Sequence, residues 1–318
     1  MQDTRSLVES SLLVALSVVL FLASHFLPLV GIVISFFCPV PLVILGLKVP
    51  AEKALLGAFV AAVLITMFMG LLGGVFFLFG FAIMGVALGM FGRRIQKASD
   101  IIFYGFLVSL SCKLILMALV KLLTGINPFA IDPDLLTKSL DNALAVFSDG
   151  YGETFLESMK AQVETMSRLM VHILPAILIA ASFFDCAVSY VISEKVARRF
   201  KVLSLPSIPS FGTWRFPKSV LLAFFASFIL SFFAGKGNNI GMLDVLSLNL
   251  KVLSMMIFLI QGLATLWYLL ANFLNINARK WIGVMILVFS LLVPILSTIV
   301  IMLGFFDMLI DLRVKIRR

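Results

Sequence analysis

Charge and histidine are scarce in this chain. Asp, Glu, Lys and Arg together make up 13% of the 318 residues, and only two histidines occur, His25 and His172. A soluble domain carries about twice that share of charge, so a soluble globular reading is excluded. Two histidines are too few for a histidine-rich metal site. The three cysteines, Cys38, Cys112 and Cys186, lie singly inside apolar runs without metal-ligand spacing, and read as small buried residues. No Walker phosphate loop, His-Glu-x-x-His pair or nucleophile elbow is present. The expectation is therefore no enzyme, with no catalytic residue, metal or cofactor. No small-residue cleavage site follows the first apolar run, so that run is expected to be retained.

Apolar residues are abundant. They make up 62% of the chain, 31 of them Phe, and they fall in runs of 18 or more, the signature of membrane spans. The fold class expected is all-α, a polytopic transmembrane helix bundle of about 8–10 spans. The net charge of +9 reflects basic loops on one side of a membrane and not nucleic-acid binding, since no basic surface domain with interleaved aromatics exists.

The runs divide the chain into 1–193, a helical membrane part; 194–218, a basic cytoplasmic loop; and 219–318, a second helical membrane part. The first span ends at Pro28. The second, about Val30–Leu47, is interrupted by Pro39 and Pro41, which remove backbone donors and kink or break the helix. Broken helix within a bilayer needs protein or a cavity around it, so both prolines are structural or gating candidates. The third and fourth spans, Ala51–Met69 and Leu71–Phe91, carry Ala54, Ala58 and Ala62, then Gly85-xxx-Gly89. Such small residues let helix backbones approach closely, and packing within the chain is expected.

Between the fifth span (101–123) and the sixth (169–192) lies an acidic stretch. From Asp132 to Arg168 it holds seven acids and three bases, and Phe155, Met159, Val163 and Met166 recur at helical spacing. An outer amphipathic segment is expected over 126–168. The loop from Glu194 to Lys218 has six bases and one acid, which places it on the cytoplasmic side. Arg198, Arg199, Trp214 and Arg215 are its candidates for docking lipid or a partner. Loops after the even-numbered spans are basic, so the N-terminus is expected inside. The run from Trp281 to Phe306 would make about 39 Å of helix, longer than a roughly 30 Å apolar core. Pro294 sits at its middle, and two short helices hinged there would return the C-terminus inside.

Ionisable residues inside spans are costly and mark function by default. Lys113 and Asp185 are the two deepest, on consecutive spans and of opposite sign. Together with Gln261 they are the candidate substrate-binding residues. They fit a zwitterion site or a proton- or ion-linked switch; the alternative is a structural pair locking two helices, or a snorkelling lysine. Asp307 and Asp311 recur at i, i+4 and are, with Pro294, structural or gating candidates.

Several stretches carry a resemblance. They are Ala15-Leu-Ser-Val-Val19, Pro39-Val-Pro41-Leu-Val-Ile-Leu-Gly46, Gly85-xxx-Gly89-xx-Gly92-Arg93-Arg94, Phe211-Gly-Thr-Trp214-Arg215-Phe216-Pro217, Gln261-Gly262-Leu-Ala264 and Gly304-Phe-Phe-Asp307-xxx-Asp311-x-Arg313. In this order they resemble the YybS-like family of uncharacterised bacterial membrane proteins, whose N-terminal part is in turn similar to the substrate-binding S components of energy-coupling-factor transporters. The resemblance implies a bacterial inner-membrane protein with an S-component-like N-terminal six-helix part. The function expected is a small-molecule transporter or substrate-binding membrane subunit. The alternative is a non-transporting scaffold that docks a cytoplasmic partner or anionic lipid through its basic loop. Expected partners are membrane lipids, a small-molecule substrate and a cytoplasmic energising or regulatory protein, with no nucleic acid.

Overall fold

The computed structural model describes residues 2–27, 30–125, 153–200, 205–233, 241–273 and 280–316. Among these, every regular element is helical and there is no strand. Six helical stretches are long and apolar enough to cross a membrane, and a bent pair adds a seventh. The chain forms two compact units.

The first unit comprises residues 1–131 and 178–208. Its helices are α1 (Gln2–Phe26), α2 (Gly31–Ser35), α3 (Val40–Lys48), α4 (Ala51–Phe77), α5 (Ile83–Arg94) and α6 (Ala98–Thr124), with the C-terminal part of α7 (Glu153–Arg199). A short π-helical turn, Leu78–Ala82, joins α4 to α5. The second apolar run is broken, as its prolines predict. Pro39 is the N-cap of α3 and Pro41 lies in its first turn, where a missing N–H costs nothing. The Ser17 hydroxyl donates to the Cys38 carbonyl at the break, 2.8 Å away. Every residue of α3 from Val40 to Leu47 is buried.

The helical run Ala51–Arg94 is 44 residues long, yet it is not straight. Gly70 has φ 74° and ψ 175°, a backbone open to glycine and rarely to other residues. Beyond it the chain turns back: a Cβ on Gly74 would stand 2.7 Å from the Ala62 carbonyl oxygen. In a straight helix those residues would be about 18 Å apart. The two legs match the expected spans Ala51–Met69 and Leu71–Phe91. Counted separately, and with the bent pair included, they bring the number of spans to eight, the lower end of the expected range.

Small residues then set how the legs pack. Ala54, Ala58, Ala61 and Ala62 share a core with Val14, Val18 and Phe21 of α1, and Phe21 meets Phe77 edge-on at 5.1 Å. Gly85 and Gly89 of α5 press on α3. A Cβ on Gly85 would lie 2.9 Å from the Pro39 carbonyl, and one on Gly46 would lie 2.6 Å from that of Val86. The Gly-xxx-Gly motif thus packs within this chain. A second cluster joins Val43, Leu88 and Ile101 to Cys186, Tyr190 and Leu205, and the Tyr190 hydroxyl donates to the Pro206 carbonyl at 2.6 Å. All three cysteines are buried and unpaired.

The second unit takes the described part of 132–177, the N-terminal part of α7, together with 209–318. It holds a 3-10 turn, Phe211–Thr213, then α8 (Ser219–Phe233), α9 (Met242–Phe273), α10 (Lys280–Leu292), α11 (Pro294–Ile310) and α12 (Leu312–Ile316). Pro294 begins α11 after a bend of 109°, so 281–310 is two short helices. A proline is well placed at a helix start and poorly placed in its interior. Helices α9 and α11 cross at glycines: a Cβ on Gly304 would run into the Phe258 carbonyl, and one on Gly262 into that of Val300. Phe224, Phe258 and Phe305 interlock beside this crossing, with centroids 5.2–6.0 Å apart.

Helix α7, 47 residues with Pro175 inside it, contributes residues to both units. The stretch 194–218 is likewise shared, with Leu205 in the core of the first unit and Pro209 onward in the second. Of the expected outer segment, 126–152 lies outside the described residues. From Glu153 its backbone is the start of α7.

Candidate functional site

Lys113 and Asp185 meet. Lys113 is 15 residues from the start of α6 and 11 from its end, about 22 Å and 16 Å at the helical rise, so it lies mid-span. Its ammonium sits 2.8 Å from the Asp185 carboxylate and donates to the Ser109 hydroxyl at 2.9 Å. Helical side chains lean toward the N-terminus, which brings Lys113 back to the level of Ser109. The Lys113 side chain is 16% exposed and that of Asp185 34%. One residue beyond Asp185, the Cys186 thiol donates to the Ile102 carbonyl at 3.3 Å and ties the helices together. One turn before it, the buried Ser182 hydroxyl has no hydrogen-bond partner among the described residues. Asp185 is thus the more exposed member of the pair, and a buried, unpartnered hydroxyl lies one turn away on the same helix.

A direct pair can be measured by a double-mutant cycle. Lys113→Met and Asp185→Asn are each expected to lower the thermal midpoint by leaving one intramembrane charge alone. The double variant is expected to recover part of the loss, with a coupling of about 0.5–3 kcal/mol. Additive losses would show that the two charges do not interact.

Gln261, Asp307 and Arg313 form a second assembly, and here nothing is left open. All three are at most 3% exposed. The Gln261 amide nitrogen donates to Asp307 Oδ2 at 2.6 Å, and its carbonyl oxygen accepts from the Phe216 N–H at 3.1 Å. Arg313 donates to Asp307 from Nε at 3.1 Å and from Nη2 at 2.8 Å. It then reaches two backbone carbonyls of the loop before α8, Gly212 at 2.6 Å and Trp214 at 2.8 Å. Asp311 ends α11 with φ 53° and turns outward, where it meets Lys218 at 3.0 Å and Arg215 at 4.0 Å. The Trp214 indole donates to the Pro209 carbonyl at 3.0 Å. Arg198 pairs with Glu194 one turn back on α7, and Arg199 is exposed.

One residue that hydropathy and motif spacing do not single out bridges an interrupted turn of α7. Pro175 lies inside that helix. Beside it, Asn249 of α9 accepts from the Ala176 N–H at 2.8 Å and donates to the His172 carbonyl at 2.6 Å. Those two backbone groups would pair with each other in an uninterrupted helix. A side chain inserted into the ladder is a recognised cause of bending. The signal available in sequence is an Asn within one apolar run and a Pro within another. Asn249→Leu is expected to lower stability by about 1–3 kcal/mol through the unpaired backbone groups, read as a fall in thermal midpoint.

These features define an α-helical, polytopic membrane protein whose helices carry intramembrane polar pairs and whose lipid-facing surface contacts membrane lipid. The chain belongs to the family described as predicted membrane protein, DUF2232, whose model matches residues 15–308. It is 23% identical over 319 residues to the uncharacterized protein YybS of Bacillus subtilis (strain 168), covering 100% of both chains. No solved structure matches.

Proposed function

We propose that this protein is a membrane-embedded subunit that binds a small polar solute and passes it across the bilayer, with Lys113 and Asp185 as its polar site. The observation that carries this reading is an ion pair in mid-span whose carboxylate is one-third exposed. A pair that only locked two helices would be sealed by them. An accessible carboxylate at bilayer depth needs water, a solute or another polar group beside it. The Ser109 hydroxyl, which accepts from Lys113, and the unpartnered Ser182 hydroxyl lie within about one turn of the pair on the same two helices, both buried. A zwitterion suits the site best, since its ammonium and carboxylate can replace the two members of the pair. Gln261 stands outside this site because its amide is already engaged with Asp307 and Phe216.

The reading is non-enzymatic. It places the protein in a bacterial inner membrane with the N-terminus in the cytoplasm, following the basic loops. Because the chain lacks a phosphate-binding loop, an ATP-driven mechanism would need a separate subunit.

The test is thermal melting of the purified protein against amino acids, vitamins and nucleosides. A ligand at 100 times its Kd stabilises by about 2.7 kcal/mol under ideal linkage. The expected result is a reproducible shift that disappears in folded Lys113→Met and Asp185→Asn variants. A panel with no shift, or a shift untouched by both substitutions, overturns the site.

A further inference from the structure

The loop before α8 presents cations in a fixed place. Between Gly212 and Pro217 the residues alternate in burial. Gly212 is buried and Trp214 and Phe216 are half-buried, while Thr213, Arg215 and Pro217 are exposed. Gly212, Trp214 and Phe216 are the residues that Arg313 and Gln261 hold by their backbone groups. Arg215 is thereby turned outward, next to Lys218. Their side chains are 51% and 62% exposed, and both share one carboxylate, that of Asp311. Two positive charges against one negative leave one uncompensated.

Lys218 immediately precedes α8, and what lies below it is apolar. Leu222, Phe225 and Ile229 follow it by four, seven and eleven residues, within about 40° of its direction around the helix at 3.6 residues per turn. All three are exposed. A cation thus caps an exposed apolar stripe on a helix of 15 residues.

We propose that Arg215, Lys218 and this stripe form a binding site for an anionic phospholipid. The headgroup phosphate accepts hydrogen bonds from the Lys218 ammonium and the Arg215 guanidinium, and one acyl chain lies along Leu222, Phe225 and Ile229. Arg forks and Lys point charges are the usual partners of phosphate, and each basic residue near an anionic surface adds to the attraction. Asp311 orients the two cations without neutralising both. The stripe decides between occupants: an acidic protein would reach the cations and leave the stripe bare, whereas a phospholipid matches both in order. The inference rests on the second unit alone and stands independently of the solute site.

The experiment is native mass spectrometry of the full chain from detergent with added phosphatidylglycerol or phosphatidylcholine. Phosphatidylglycerol is expected to stay bound through activation that strips phosphatidylcholine. The Arg215→Gln/Lys218→Gln variant is expected to retain about tenfold less phosphatidylglycerol, while Lys53→Gln, a charge removed elsewhere, retains it fully. Phe225→Ser is expected to weaken retention with both cations intact, and Arg215→Lys/Lys218→Arg to restore most of it. If the double glutamine variant does not fold, the single substitutions carry the same comparison. Unchanged retention in folded glutamine variants overturns the proposal. So does equal competition by soluble glycerol phosphate, which would make this a free-anion site, or indifference to Phe225→Ser.

Discussion

Arg313→Met is expected to cost about 3–5 kcal/mol and to loosen the loop ahead of α8. Removing one member of a buried ion pair leaves its partner charged and uncompensated. Here the partner, Asp307, is 3% exposed. The loss does not stop at the carboxylate. Arg313 is also the donor for the carbonyls of Gly212 and Trp214, and unmade hydrogen bonds to buried groups cost more than made ones contribute. The check is a fall in thermal midpoint together with faster proteolysis within 209–217. Asp307→Asn should cost less, because a neutral amide can still accept from Gln261 and Arg313. Pairing it with Arg313→Met should not restore the protein, since both carbonyls remain without a donor. A variant with wild-type melting and an equally resistant loop would show that Arg313 is not what holds the loop.

Gly304→Leu is expected to separate α9 from α11. An added Cβ there would lie 2.6 Å from the Gly262 amide nitrogen and against the Phe258 carbonyl. Both are backbone atoms, so no side chain can rotate aside. Overpacking costs about 1–3 kcal/mol and sometimes more, which outweighs the roughly 1 kcal/mol gained by replacing glycine within a helix. Gly304→Ala should destabilise and Gly304→Leu should do so more strongly, with the aromatic cluster of Phe224, Phe258 and Phe305 pulled apart. Gly80 supplies the contrast. Its nearest neighbour to an added Cβ is the Phe76 ring at 4.0 Å, so Gly80→Ala should be tolerated. If both alanine variants melt alike, close backbone approach is not what the α9–α11 crossing needs.

Much of the fold is legible in the amino-acid sequence, because a bilayer demands long apolar helices and little else satisfies it. Gly70 and Pro294 are places where hydropathy continues but length does not fit, and the chain turns at both. Lys113 and Asp185 are legible as a pair because they lie on consecutive spans, so adjacency needs no further knowledge. The Arg313 clamp is only half legible. Asp307 and Asp311 share a helical face in sequence, but two of Arg313's partners are main-chain carbonyls about a hundred residues earlier, and a carbonyl has no letter of its own. Asn249 escapes a reading of the sequence for a related reason: its partners are the backbone groups of another helix, and only knowledge of which helices touch pairs it with Pro175. The basic loop reads as a cytoplasmic segment for docking lipid or a partner because its charges are conspicuous. Between Gly212 and Phe216 its backbone is held by Gln261 and Arg313.

The burial of Cys38, Cys112 and Cys186, at 0, 5 and 0% exposure, makes the natural chain a ready background for thiol chemistry. Reagents need both an accessible sulfur and its thiolate, and these three are shielded within helix packing. A single cysteine placed at exposed Thr213, or in place of Arg199, would then label against a low background. Comparing membrane-permeant and impermeant maleimides on intact cells would show which side of the membrane each position faces, without first removing any native residue.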